Sequence, residues 1–112
     1  MTPLEVAVRV IVDLLVRREY DVVERMTKGD RMSAAAMSQA ISQYGRRLVR
    51  PDPADWWPLV EITPVSVEHG MVHVAAPLWT AEEGRSDLTL ELWLTEFAPQ
   101  LYRATLLNIH VL

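Results

Sequence analysis

The segment Asp87 to Phe97, DLTLELWLTEF, alternates like a strand, with a leucine at every second position from Leu88 to Leu94. Side chains along a β-strand point to opposite faces with a period of two. Leu88, Leu90, Leu92 and Leu94 are therefore predicted on one face, and Thr89, Glu91, Trp93 and Thr95 on the other. A strand with one dry and one wet face fits an antiparallel sheet covered on one side only.

The flanking segments extend that sheet. Met71 to Thr80 is predicted as a strand with Val72, Val74, Ala76 and Leu78 facing in; Met71, His73, Ala75, Pro77 and Trp79 face out. Leu59 to Val67 is a further strand, with Val60 and Ile62 inward and Glu61 and Thr63 outward. Its Pro64 lacks an N–H to donate, which marks an edge or bulged strand. Glu68-His69-Gly70 makes a tight turn, Ala81 to Ser86 a longer hairpin loop, and Ala98-Pro99-Gln100 another turn. Leu101 to Leu112 is the last strand. Tyr102, Ala104 and Leu106 set one parity there, and Leu107, Ile109 and Val111 the other. A bulge is expected where the parity breaks.

The N-terminal half carries helical signals. Thr2 is a capping residue, Pro3 suits the first helical position, and Glu5 completes a capping box. Leu4, Ala7, Val8, Ile11, Leu14 and Leu15 recur at helical spacing and form one apolar stripe. Glu5, Arg9, Asp13 and Arg17 recur every four residues on a face expected to be solvated. Tyr20 to Met26 reads as a short second helix ended by Lys28-Gly29-Asp30. Ser33 caps a third, which stops at Gly45, with Met37, Ile41 and Tyr44 inward. Arg46 to Arg50 is a short strand or an extended linker, and Pro51-Asp52-Pro53 a rigid break. The expected fold is α+β: three N-terminal helices packed on one face of a four-stranded antiparallel meander sheet. One domain spans residues 1–112, with a helical half at 1–45 and the sheet at 56–112, as suits a chain of 112 residues.

Composition narrows the chemistry. The chain has no cysteine, so disulfides, thiolate zinc sites and thiol catalysis are excluded. Its net charge is −4, and Arg46, Arg47 and Arg50 are too short a basic run to argue for nucleic acid. Charges interrupt the apolar N-terminus at Glu5, Arg9 and Asp13, so neither a signal peptide nor a membrane span is expected, and the protein is placed in the cytoplasm. No glycine-rich phosphate loop or nucleophile elbow is present. No catalytic residue, cofactor or metal is assigned. His69 and His73 flank a turn and do not share a helix face, and His110 reads as a plain strand residue.

Function is sought first on the outer sheet face and the adjacent hairpin tip. Glu61, His73, Trp79, Glu91 and Trp93 are expected on that face, and Glu82, Glu83 and Arg85 at the tip. Aromatic and charged residues together supply large, rigid contact area for a protein partner or a second copy of the chain. The blander reading is an ordinary sheet face of cross-strand pairs. Asp55-Trp56-Trp57-Pro58 is expected to cap the core with one tryptophan and expose the other. A rival reading places a ligand pocket between helices and sheet, lined by Tyr20, Tyr44 and Trp57.

The runs PLWTAEEGRSDLTLELWL, SAAAMSQAISQYGRRLV and LNIHVL resemble a family of small bacterial domains of unknown function. The order of helices followed by a meander is similar, at the level of fold, to nuclear-transport-factor-two-like (cystatin-like) cones. The resemblance to that fold implies enzymes, ligand binders and immunity proteins alike. The inward positions are Leu, Val and Ala, without the buried acid–base groups of a ketosteroid-isomerase-like enzyme. The expectation is therefore a small intracellular protein-interaction domain rather than an enzyme, in the form of an immunity-type protein that neutralises a toxin. A small-molecule-binding or enzymatic cone is the alternative.

Overall fold

Apolar residues at helical spacing build the first half of the chain. In the computed structural model, which describes all 112 residues, α1 (Pro3–Val16), α2 (Tyr20–Thr27) and α3 (Ala34–Tyr44) come first. The Thr2 hydroxyl accepts the Glu5 N–H at 3.1 Å, and the Ser33 hydroxyl accepts that of Ala36 at 3.1 Å. Glu24 adds a second cap to α3 by accepting the Ala34 N–H at 2.7 Å. Lys28 and Gly29 end α2 in the left-handed region, and Gly45 ends α3 there at φ 77°. No helix is long and apolar enough to cross a membrane.

β1 (Leu48–Val49), a short helix α4 (Pro53–Trp56) and a 3-10 turn (Trp57–Leu59) lead into β2 (Glu61–Ser66), β3 (Met71–Thr80), β4 (Gly84–Ala98) and β5 (Leu101–Val111). All pairings are antiparallel. β3, β4 and β5 lie side by side, and β1 and β2 share the other edge of β3 end to end. The α+β reading with helices on one face holds. The sheet gains β1 as a fifth strand, and Asp52 caps α4 through the Ala54 N–H where a plain break was expected.

The core is the dry face of β3 and β4 under the helices. Val74, Ala76, Leu78, Leu88, Leu90, Leu92 and Leu94 are all buried against Val8, Ile11, Leu15, Val23, Met37 and Ile41. β5 completes it with Leu106 and Ile109. The expected bulge falls on Leu107: Leu106 pairs with Leu92, Asn108 with Glu91, and Leu107 is left over. Both parities therefore reach the core, one on each side of the bulge.

Four expectations change. The row Glu5–Arg9–Asp13–Arg17 is not the most solvated face of α1. Glu5 is 8 % exposed, whereas Val6 and Val10 are exposed. Ile62 faces inward but stays exposed, because no helix covers the β2 edge. The hairpin loop after β3 is also tighter than predicted. Thr80 pairs with Gly84, the Thr80 hydroxyl accepts the Glu83 N–H at 3.0 Å, and Gly84 turns the chain at φ 73°.

The fourth change is an irregular pairing of β3 with β4 beside Trp79. Pro77 pairs with Thr89 and Trp79 with Arg85, so three residues of β4 oppose Leu78 alone. The extra residues lie on β4; β3 keeps its own alternation, with Ala76, Leu78 and Thr80 buried and Trp79 on the other parity. The Ser86 hydroxyl repairs the gap by donating to the Leu78 carbonyl at 2.7 Å and accepting the Leu88 N–H at 3.2 Å. Trp79 is half-buried there and touches the edge of the core.

Candidate functional site

The face of the sheet away from the core is built from alternate residues of β3, β4 and β5. His73 lies opposite Trp93, as the alternation predicts, and Trp93 lies opposite Thr105. Glu91 lies opposite Ala75 on one side and Asn108 on the other. Thr89 lies opposite His110. Diagonal neighbours on a sheet face remain within reach of long side chains. Two histidines thus converge on one carboxylate: His73 Nε2 sits 3.0 Å from Glu91 Oε1, and His110 Nε2 contacts Glu91 Oε2.

Ala75 makes this possible by leaving the space beside Glu91 open. Partial burial disfavours the Glu91 carboxylate, but hydrogen bonds from His110 and His73 outweigh it and hold its pKa below the ordinary glutamate value. Each carboxylate oxygen is taken by a different ring, and no group of three or more acidic or histidine side chains is placed to hold a metal ion. The arrangement is instead a fixed array of hydrogen-bonding groups open to solvent on one side. Beside it, the Arg31 guanidinium lies 5.5 Å from the centroid of the Trp93 ring, within cation–π range.

His110 is the residue that sequence reasoning passed over. The signal was present: the parity break at Leu107 turns His110 to the same side as Glu91.

The remaining candidates separate from this cluster. Glu61 is exposed on β2, opposite Ala75. Glu82 and Glu83 are drawn back onto the segment that follows α3. Tyr44 donates its hydroxyl to Glu83 at 2.8 Å, the Arg46 guanidinium to Glu83 at 3.2 Å, and the Arg47 N–H to Glu82 at 3.1 Å. The Ala81 N–H donates to the Arg47 carbonyl at 2.9 Å. The backbone hydrogen bond from Arg47 keeps the Glu82 carboxyl below its ordinary range. Burial, with the bond to Glu83, pushes the Tyr44 hydroxyl up. Arg85 stays exposed beside Trp79.

Of the residues expected to line a pocket, Tyr20 borders a surface cleft, Tyr44 clasps the hairpin tip and Trp57 packs against the core. Helices and sheet meet through apolar side chains. Trp56 is the capping tryptophan: it is buried and donates Nε1 to the Pro77 carbonyl at 3.0 Å, while Trp57 is half-buried.

The sequence profile of a domain of unknown function, DUF7668, matches residues 12–112, and the chain belongs to that family. No curated protein and no solved structure matches it.

Proposed function

We propose that this member of the DUF7668 family is a small protein-interaction domain that docks a protein partner on the outer face of its sheet. The observation that carries this reading is the order imposed on a face no helix covers. Glu91 is fixed by His73 and His110, and Trp93 is held under Arg31. Side chains already held in place lose less conformational freedom on binding, so more of the contact energy appears as affinity. A tryptophan beside a fixed charged cluster has the composition of a binding hot spot.

The net charge of −4 favours a basic partner, which the protein's field would steer toward encounter. An intracellular immunity protein that neutralises a basic toxin is the form of partner binding that fits best. A second copy of the chain is the competing occupant of the same face.

Capture from cell extract with the wild type, Trp93→Ala and Glu91→Lys separates these readings. A basic protein retained by the wild type and lost by both folded variants supports the proposal. Retention unchanged by the variants, or no retained protein, overturns it. Dimerisation that both variants abolish assigns the face to self-association instead.

A further inference from the structure

We propose that a second site, the arginine-lined cleft between α1, α3 and β1, binds a small organic phosphate. Two adjoining hollows of about 390 and 410 Å³ share Arg18, Tyr20, Ile41, Arg46 and Arg47. The first continues over Leu15, Val16 and Leu48 to Arg50 and contains no carboxylate. The second continues to the hydroxyls of Ser38 and Ser42, with Glu82 as its one acidic residue. Positive charge is thus concentrated in one recess of a chain whose net charge is −4.

The four arginines are not equally committed. Arg50 pairs with Asp13 and Arg46 with Glu83. The Arg18 and Arg47 guanidinium groups make no ion pair and donate no hydrogen bond within the chain. A simpler account would have these arginines balance the negative C-terminal ends of α1 and α3. Those ends, however, are already closed by backbone N–H groups: Arg17, Arg18 and Glu19 cap α1, and Gly45 caps α3.

Arg18 reaches the cleft from the turn that ends α1. Its backbone is left-handed at φ 60°, a conformation uncommon outside glycine. A turn of this kind between α1 and α2 would favour glycine, yet an arginine occupies it and borders the cleft. The conformation belongs to the way α1 ends, with the Glu19 N–H bonded to the Leu14 carbonyl and the Arg18 N–H to that of Leu15, and it turns the Arg18 position toward the cleft rim.

The chemistry of the lining selects the ligand class. Guanidinium forks match phosphate oxygens in paired hydrogen bonds, and serine hydroxyls add single donors. Tyr20, Ile41, Leu15 and Leu48 offer an apolar wall for the body that carries the phosphate. Glu82 disfavours an extended polyanion on the rim. A phosphate monoester on a planar or apolar body satisfies both halves. None of these residues lies on the outer sheet face, so the two sites stand or fall separately.

Titration calorimetry with AMP, inorganic phosphate and adenosine tests the proposal. AMP is expected to bind saturably, more tightly than phosphate, and more weakly as salt rises; adenosine is not. Arg47→Ala and Arg18→Gly should each weaken AMP at least about tenfold, the loss of one charged hydrogen-bonding partner. Arg18→Gly also relieves the left-handed backbone, so its thermal midpoint should equal or exceed the wild type's. Weakened binding by a variant that is no less stable separates ligand recognition from folding. No saturable AMP binding, equal affinity for AMP and phosphate, or affinity unchanged in both variants would each overturn the proposal.

Discussion

His73 and Glu91 meet diagonally across neighbouring strands, 3.0 Å apart at their polar tips, because the residue directly opposite Glu91 is the small Ala75. His110 reaches the same carboxylate from the third strand. The cluster of His73, Glu91 and His110 is thereby held by β3, β4 and β5 alone.

That clamp gives stability a defined pH dependence. The Glu91 pKa is depressed in the folded state, so its contribution is present above the ordinary glutamate value of 4.5 and lost as pH falls through the depressed value. Glu91→Gln should cost about 1 kcal/mol at neutral pH and flatten the fall in stability below that value. Urea unfolding of both proteins across the acid range measures it. Curves that coincide at neutral pH and fall together in acid would show that the clamp contributes nothing.

Much of this geometry was legible in the sequence. The unbroken alternation from Leu88 to Leu94 identified the dry face of β4, and the parity change near Leu107 announced the bulge. The position of His110 follows from that bulge, but its pairing with Glu91 needs the register between β4 and β5, which no local pattern states. The irregular pairing in which residues 86–88 oppose Leu78 alone leaves no mark in apolar periodicity. The tip carboxylates also resisted reading. Their partners Tyr44, Arg46 and Arg47 lie more than thirty positions earlier in the chain.

Ser86 replaces two missing ladder contacts at that irregularity. Ser86→Ala leaves the Leu78 carbonyl and the Leu88 N–H without their partner in a buried setting. The expected loss is about 1–3 kcal/mol in denaturant unfolding. A change within the error of the measurement would mean the gap closes without the hydroxyl.

Trp56 ties α4 to β3 through the Pro77 carbonyl. Trp56→Phe keeps an aromatic ring but orphans that carbonyl, at a cost of about 1–3 kcal/mol. Trp56→Ala adds a cavity and should cost about 3–5 kcal/mol. Equal losses for the two variants would assign the whole effect to the hydrogen bond.

Tyr44 joins α3 to the hairpin tip, and its pKa is raised above the ordinary value of 10.0 by burial and by its bond to Glu83. A raised folded-state pKa contributes stability that is full below pH 10 and lost as pH rises through the raised value. Spectroscopic titration of Glu83→Gln should bring one of the three tyrosines back toward its ordinary range. An unmoved titration would mean that Glu83 plays no part in the shift.

The central claim is that the partner covers the outer sheet face. Oxidative footprinting of the captured complex measures side-chain exposure there directly. The account predicts that His73, Trp93 and His110 become protected while Met26 and Val6, on the helical side, stay as reactive as in the free protein. Protection confined to the helices, with His73 and Trp93 unchanged, would contradict it.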